Sequence, residues 1–270
     1  MENKSSTFYS VNKNTNPNYK QSSSKKVLDK LKILFENEDY LIVEKNAGIT
    51  VNRSDTAGGE VTLQDLIEAE NKIDKNDIDP DFRNRSGIVH RLDKETSGVM
   101  IVAKNSETFR NLQGQFKERK VSKSYVALVH GEIKPPSGEI NAPLGRLPWN
   151  RKRFGVIAGG REAVTSYEAI SNLKSQISNE ILTLVRLFPK TGRTHQIRVH
   201  LKHINHPIFS DPLYGGRKVA RNDRKILPRV FLHAESLSFN DPKTGERVKY
   251  RSELPQELEI FIQSLKKVVK

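Results

Sequence analysis

Gly87-Ile88-Val89-His90-Arg91-Leu92-Asp93-Lys94-Glu95-Thr96-Ser97-Gly98-Val99-Met100-Ile101-Val102-Ala103 runs from a charged loop straight into an apolar, strand-like segment. Its loop carries one carboxylate, Asp93, flanked by Arg91 and Lys94 in sequence. Cationic neighbours lower a carboxylate's pKa and keep it ionised, as a nucleophile or base at neutral pH requires. Taken alone, an Asp beside an Arg is more often a surface ion pair with no chemistry. The rest of the chain decides between these readings.

Around this stretch the pattern is α+β. Ile33-Leu34-Phe35 and Tyr40-Leu41-Ile42-Val43 read as two β-runs joined by a turn at residues 36–39. Tyr125 to Val129 and Ile181 to Leu187 are also β-like. Thr62-Leu63-Gln64-Asp65 has capping-box spacing ahead of Leu66 and Ile67, which predicts a helix. Asn105 is placed to cap a second helix with Phe109, Leu112 and Phe116 on its apolar face. Thr194 to His203 suits a third, with Ile197 and Leu201 on one side, and a fourth follows Pro255 with Leu258, Phe261, Ile262 and Leu265. Strands outnumber helices and do not alternate with them regularly, which disfavours a doubly wound sheet. Residues 31–270 form one expected domain, and residues 1–30, rich in Ser, Asn and Lys, a flexible basic tail.

Composition narrows the partners. Forty-six Lys and Arg against 32 Asp and Glu give a net charge of +14, with a pI near 9.8. Such a chain attracts polyanions, nucleic acid above all, although a generally Lys-rich proteome gives the same balance. The absence of Cys excludes disulfides, thiolate catalysis and Cys-ligated zinc, and fits a reducing cytoplasm. No apolar run approaches the roughly 18 residues of a membrane span, so no membrane partner is expected. The N-terminus has no apolar core of the kind a secretory signal needs. Gly-rich phosphate loops, H-E-x-x-H and G-x-G-x-x-G patterns are all missing; Gly159-Gly160 reads as hairpin material. His195 and His200 are five apart, which does not align them on one helical face as a metal pair.

The run from Gly87 to Gly98 resembles the signature loop of the RluA-type pseudouridine synthases. Lys123-Ser124-Tyr125-Val126-Ala127-Leu128-Val129-His130-Gly131 and Thr191-Gly192-Arg193-Thr194-His195-Gln196-Ile197-Arg198-Val199-His200-Leu201 resemble two further motifs of that family, in the family's order. The similarity extends from about Leu34 to about Leu265. It implies a long, mostly antiparallel mixed sheet flanked by helices around a central RNA-binding cleft. It also implies isomerisation of uridine to pseudouridine in structured ribosomal or transfer RNA, without cofactor or metal. Relatives often carry an N-terminal S4 domain; thirty polar residues are too few for one, so an S4-less member, and a monomer, is expected.

By this resemblance Asp93 is the catalytic carboxylate, as nucleophile at the anomeric carbon or as base in a glycal route. Arg193 pairs with it and holds it oriented, a phosphate contact being the alternative. Tyr125 stacks on the target uracil, while Arg91 fills the gap left by the flipped base or else contacts phosphate. His90, Lys123 and Arg198 complete the expected substrate-contacting set. Arg146, Arg151, Lys152, Arg153 and Arg161 cluster around Trp149, either as a backbone-binding loop or as a solvated hairpin. The sequence departs from the family at Asn46, Ser210 and Asp241, where Pro, Gly and His are usual.

Overall fold

The computed structural model describes residues 31–53, 59–74, 76–175 and 179–268, so the expected basic tail lies outside the described residues. In chain order the elements are β1 (Lys32–Glu36), β2 (Tyr40–Lys45), α1 (Leu63–Ala69), α2 (Pro80–Arg85), β3 (Ser97–Ala103), α3 (Ser106–Lys117), β4 (Ser122–His130), β5 (Ser137–Asn141), β6 (Leu144–Leu147), β7 (Asn150–Val156), β8 (Val164–Lys174), β9 (Ile181–Pro189), α4 (Gln196–His203), α5 (Arg217–Asp223), β10 (Leu232–Asn240), β11 (Arg247–Arg251), α6 (Gln256–Gln263) and β12 (Lys266–Lys267). Ten strands form one sheet with the path β1-β2-β3-β10-β4-β9-β8-β12, β11 pairing with β10 and β5 with β8. β6 and β7 form a separate hairpin. Only β3 and β10 run parallel among the described pairs, so the expected mostly antiparallel α+β sheet is what the chain builds.

Burial of β2 and β3 on both faces explains their unbroken apolar sequence. Alternate residues feed two different cores, as the two-residue period of a strand requires. Tyr40, Ile42, Val99 and Ile101 pack on one side with Phe82, Phe109 and Leu112. Leu41, Val43, Met100 and Val102 pack on the other with Leu63, Ile67, Ile88 and Leu92. Each such side chain contributes about 1.5–3 kcal/mol by burial. A further core joins β4, β8 and β9 to α4 and α6.

Helix starts follow their sequence signals. The Thr62 side chain accepts the Asp65 N–H while the Asp65 carboxylate accepts the Thr62 N–H, the reciprocal capping box read from the spacing. Asn105 caps α3 by accepting the Thr108 N–H at 2.9 Å. The sequence reading missed α2, although Asp79 accepts two of its first amide protons and Pro80 opens it. It also missed α5, whose start has no side-chain cap. No helix among the described residues is long and apolar enough to cross a membrane.

Gly98 sits where β3 meets β10, with φ +127. A Cβ there would lie 2.3 Å from the Ala234 carbonyl oxygen, so glycine is required for the two strands to approach. The chain therefore turns out of the charged loop and into the sheet within one residue. Ser210 is the converse: it takes φ +62 although it is not glycine. Its hydroxyl donates to the Leu227 carbonyl at 2.7 Å, and its amide to Asp223 at 3.2 Å.

Candidate active site

Asp93 stands in the loop that enters β3, at the floor of a cleft of about 520 Å³. That loop is pinned from two sides. On one side the Lys94 carbonyl accepts the Gly48 N–H at 2.7 Å and the Lys45 ammonium at 3.1 Å. Lys45 is fully buried and donates also to the carbonyls of Asn46 and Ile49, both at 2.8 Å. Burial, with help from Arg229, lowers its pKa to about 7, and Asp93 opposes the shift. On the other side Arg224 clasps the Glu95 carboxylate through two nitrogens at 2.8 and 3.1 Å, and the Val230 amide adds a third bond.

The cation facing Asp93 is Arg198. Its Nη1 donates to Asp93 Oδ2 at 3.2 Å. Its Nε and Nη2 donate to the two oxygens of Asp211 at 2.8 and 2.9 Å. Asp211 is fully buried and accepts the Leu213 and Tyr214 amides as well. The Arg198 side chain is only 7% exposed, and its guanidinium lies 5.1 Å from the Tyr214 ring centroid. Asp211 and Asp93 together raise the Arg198 pKa despite its burial, so the residue is a permanent cation held in one orientation.

These contacts correct two expectations. Arg193 does not pair with Asp93: its Nε donates to the Glu162 carbonyl at 3.0 Å. Arg198, expected to touch substrate, is instead the buried partner of Asp93. The reason is where α4 begins. His195 takes a left-handed conformation with φ +57, and the helix starts only at Gln196. Arg193 is thus left in the preceding turn, while Arg198 sits inside the first turn of the helix. Gln196 fixes this arrangement. Its buried amide binds Thr191, Thr165, the Val164 carbonyl and the Arg193 amide. The sequence signal was available in Ile197-Arg198-Val199: an arginine inside an apolar helix needs a buried anion.

The sequence neighbours of Asp93 also behave differently from expectation. The Lys94 ammonium pairs with Glu60 at 2.5 Å, away from the cleft. Arg91 is exposed and lines the cleft. His195, whose spacing from His200 argued only against a metal pair, brings Nε2 to 4.0 Å from Asp93 Oδ1. Its Nδ1 is 2.8 Å from the Tyr214 hydroxyl, whose oxygen accepts the Phe154 amide. The Tyr214 proton is then free for His195 Nδ1, an assignment that puts the ring proton on Nε2, facing Asp93. Burial lowers the His195 pKa, with Asp93 opposing and Arg198 assisting.

His90 is part of the wall. Its Nε2 accepts the Ile101 amide at 3.1 Å, and its ring stacks on Phe116 with centroids 4.8 Å apart. Burial and then the Lys123 charge push its pKa down to about 3, so it is neutral and structural rather than free for substrate. Lys123 reaches the Thr191 carbonyl at 3.5 Å, and burial lowers its pKa to about 8. Tyr125 is half-buried in the cleft wall. Burial and the Asp93 charge raise its pKa, keeping the phenol protonated. His200 lies in the core between Thr165 and the Ala142 carbonyl.

The lining holds seven Lys or Arg residues, Arg91, Lys117, Arg119, Lys123, Lys190, Arg193 and Arg198, and one acidic residue, Asp93. A cation-rich cleft with one oriented carboxylate suits a polyanionic substrate and chemistry at a carbon that becomes positive.

Comparison with known proteins agrees with this chemistry. The sequence model of the RNA pseudouridylate synthase family matches residues 39–203. A Pseudomonas aeruginosa protein named ribosomal large subunit pseudouridine synthase D is 37% identical over 237 residues, covering 84% of this chain and 69% of that one. An Aquifex aeolicus protein named as an uncharacterized RNA pseudouridine synthase is 40% identical over 232 residues, covering 84% of this chain and 70% of that one. The solved structure of human RNA pseudouridylate synthase domain containing 1 superposes with a TM-score of 0.68 at 27% identity, covering 88% of this chain and 89% of that one.

Proposed function

The chain belongs to the RNA pseudouridine synthase family, isomerases that convert uridine in RNA to pseudouridine, and on that premise we propose that Asp93 carries the reaction on a uridine of large-subunit ribosomal RNA. The observation that carries the assignment is that Asp93 is the one acidic side chain among seven Lys and Arg in the cleft lining. The choice of RNA rests on the names of relatives in Pseudomonas aeruginosa and Nitrosomonas europaea, both ribosomal large subunit pseudouridine synthase D.

The reaction breaks the bond between the ribose anomeric carbon and N1 of uracil. The base turns over and rejoins the sugar through C5, and the C5 proton leaves as N1 gains one. Nothing is oxidised and no outside group is consumed. As the first bond breaks, positive charge grows on the sugar, and the Asp93 carboxylate stabilises or captures it. Arg198 contributes orientation: its bidentate grip on Asp211 leaves Nη1 for Asp93 Oδ2, while Asp93 Oδ1 lies 4.0 Å from His195 Nε2. Tyr125, a neutral phenol at working pH, offers its ring as a wall for the uracil. After C5 has bonded, Asp93 is the carboxylate nearest to hand for the C5 proton.

A uridine within a stem-loop must first leave the stack, at a cost of a few kcal/mol. Arg91, exposed at the cleft mouth, has a planar guanidinium suited to fill the vacated position.

The test is pseudouridine mapping of total RNA from cells with and without the gene, and with an Asp93→Asn copy restored. The proposal expects one or a few large-subunit sites to disappear on deletion and to stay absent with Asp93→Asn. Loss at a transfer RNA site instead would reject the substrate assignment. Restoration by Asp93→Asn would reject the role of Asp93.

A further inference from the structure

Beside the Asp93 cleft lies a second one, of about 320 Å³, between the β6–β7 hairpin and the turn that follows it. This is within the range of small-ligand sites. Gly192, Arg193 and Thr194 line both clefts, so the two adjoin along this turn. The lining of the second includes Arg146, Arg161 and Arg193 and no acidic residue. Its walls come close because they lack side chains: a Cβ on Gly145 would lie 2.4 Å from Ile157 Cδ1, and one on Gly160 would lie 2.8 Å from the Leu144 carbonyl carbon.

The three arginines are differently held. Arg146 donates Nη1 to the Arg151 carbonyl at 2.9 Å. Its guanidinium lies over the Phe154 ring, 5.2 Å from the centroid. This presents a flat cationic face to the cleft, a surface on which nucleic-acid bases stack. Arg161 is exposed. Arg193 spends one nitrogen on the Glu162 carbonyl and forms no ion pair among the described residues. Farther out, the hairpin tip carries Trp149, 78% exposed, the sole Trp of the chain. Such a side chain on a cationic arm suits base stacking of the kind single-stranded nucleic-acid binders use.

Building on the reading of the Asp93 cleft above, we infer that the second cleft is a subsite for an unpaired nucleotide adjoining the target uridine, with its phosphate between Arg193 and Arg161 and its base against Arg146. The flipped uridine enters the Asp93 cleft, and the strand continues over Arg193 into the space under the hairpin. The carboxylate in reach, Glu162, is held by Arg119 through two nitrogens at 3.1 Å, which leaves Arg161 and Arg193 without an ion pair among the described residues and open to a phosphate.

The test uses total RNA from the deletion strain as the unmodified probe, with conversion measured for the wild-type protein, for Asp93→Asn and for the double variant Arg146→Ala/Arg161→Ala. The double variant is expected to raise KM about tenfold while kcat falls much less. Its salt dependence of binding should be shallower, since each lost single-strand phosphate contact removes about 0.7 from the slope of log K against log salt. The Arg146→Lys/Arg161→Lys pair should recover the salt slope but not the whole of KM, because an ammonium supplies charge without a stacking plane. An inactive Asp93→Asn beside a double variant with unchanged KM and salt slope overturns the subsite and leaves the active-site reading intact. An active Asp93→Asn overturns the active-site reading first. A double variant that loses kcat as much as Asp93→Asn, with KM unchanged, also overturns the subsite, because the hairpin arginines would then act on the chemistry.

Discussion

The two adjoining clefts are both cationic, but they hold their charges in opposite ways. Around Asp93 the decisive cation is buried and fully committed: Arg198 spends two nitrogens on Asp211 and a third on Asp93. Under the hairpin, Arg161 and Arg193 form no ion pair among the described residues; the nearby Glu162 carboxylate is bound by Arg119, and Arg193 acts on it only through its charge. The contrast separates two demands. Bond cleavage needs one carboxylate fixed in orientation, which a buried, hydrogen-bonded network supplies. Holding an RNA strand needs cations whose partner is still to arrive, and these lie at the surface where desolvation costs little.

The largest effect expected from breaking this contrast is at Asp211. Asp211→Ala strips Arg198 of its bidentate partner and leaves a buried cation with only Asp93 to face. Loss of one member of a buried pair costs about 3–5 kcal/mol. Chemical denaturation should show that loss, and turnover should fall with it. A variant as stable as wild type would mean that the buried pair does not hold the site. A smaller effect is expected at Arg193. Arg193→Ala should weaken RNA binding about tenfold, equivalent to about 1.4 kcal/mol, and flatten its salt dependence. Salt-titrated binding measures both, and an unchanged slope would remove Arg193 from the phosphate path.

A third effect concerns the wall, is absent at neutral pH and develops only in acid. His90 is neutral in the folded protein with a pKa near 3, against 6.5 for the free side chain. Between these values the unfolded chain binds a proton that the folded chain refuses. His90 therefore costs no stability above pH 6.5, and stability is lost progressively as the pH falls from there toward 3. His90→Gln should make the acid limb of the stability curve shallower by up to one proton, a slope of about 1.4 kcal/mol per pH unit. Denaturation at pH 7 and at pH 5 for both proteins checks this; parallel curves would show that His90 is not held neutral.

Much of this organisation is visible in the sequence, and the failures are informative. Gly98, Asp93 and the apolar run through Ala103 are local features, and the reading of a charged loop entering a buried strand holds because each signal lies within a few residues. The caps Thr62 and Asn105 hold for the same reason. The partner of Asp93 was misassigned because it depends on where α4 begins. His195 adopts a left-handed conformation and Gln196 is tied to β8 and to Thr191. Together they set which of Arg193 and Arg198 faces inward, and neither constraint appears in helical periodicity. Asp211 drew no reading from the sequence, since an Asp in a loop gives no sign that it is fully buried until the fold brings Arg198 against it. Lys45 gives as little sign: it closes the apolar strand β2, and nothing local shows that three backbone carbonyls surround its ammonium.

The most direct test of the division between the clefts is a single-turnover conversion assay at saturating enzyme on one unmodified RNA, with Asp93→Asn and Arg193→Ala run side by side. The account predicts that Asp93→Asn binds the RNA but converts it at least about 10³-fold more slowly, whereas Arg193→Ala slows conversion by less than about tenfold once bound. Comparable losses in the two variants, or the larger loss at Arg193, would contradict it.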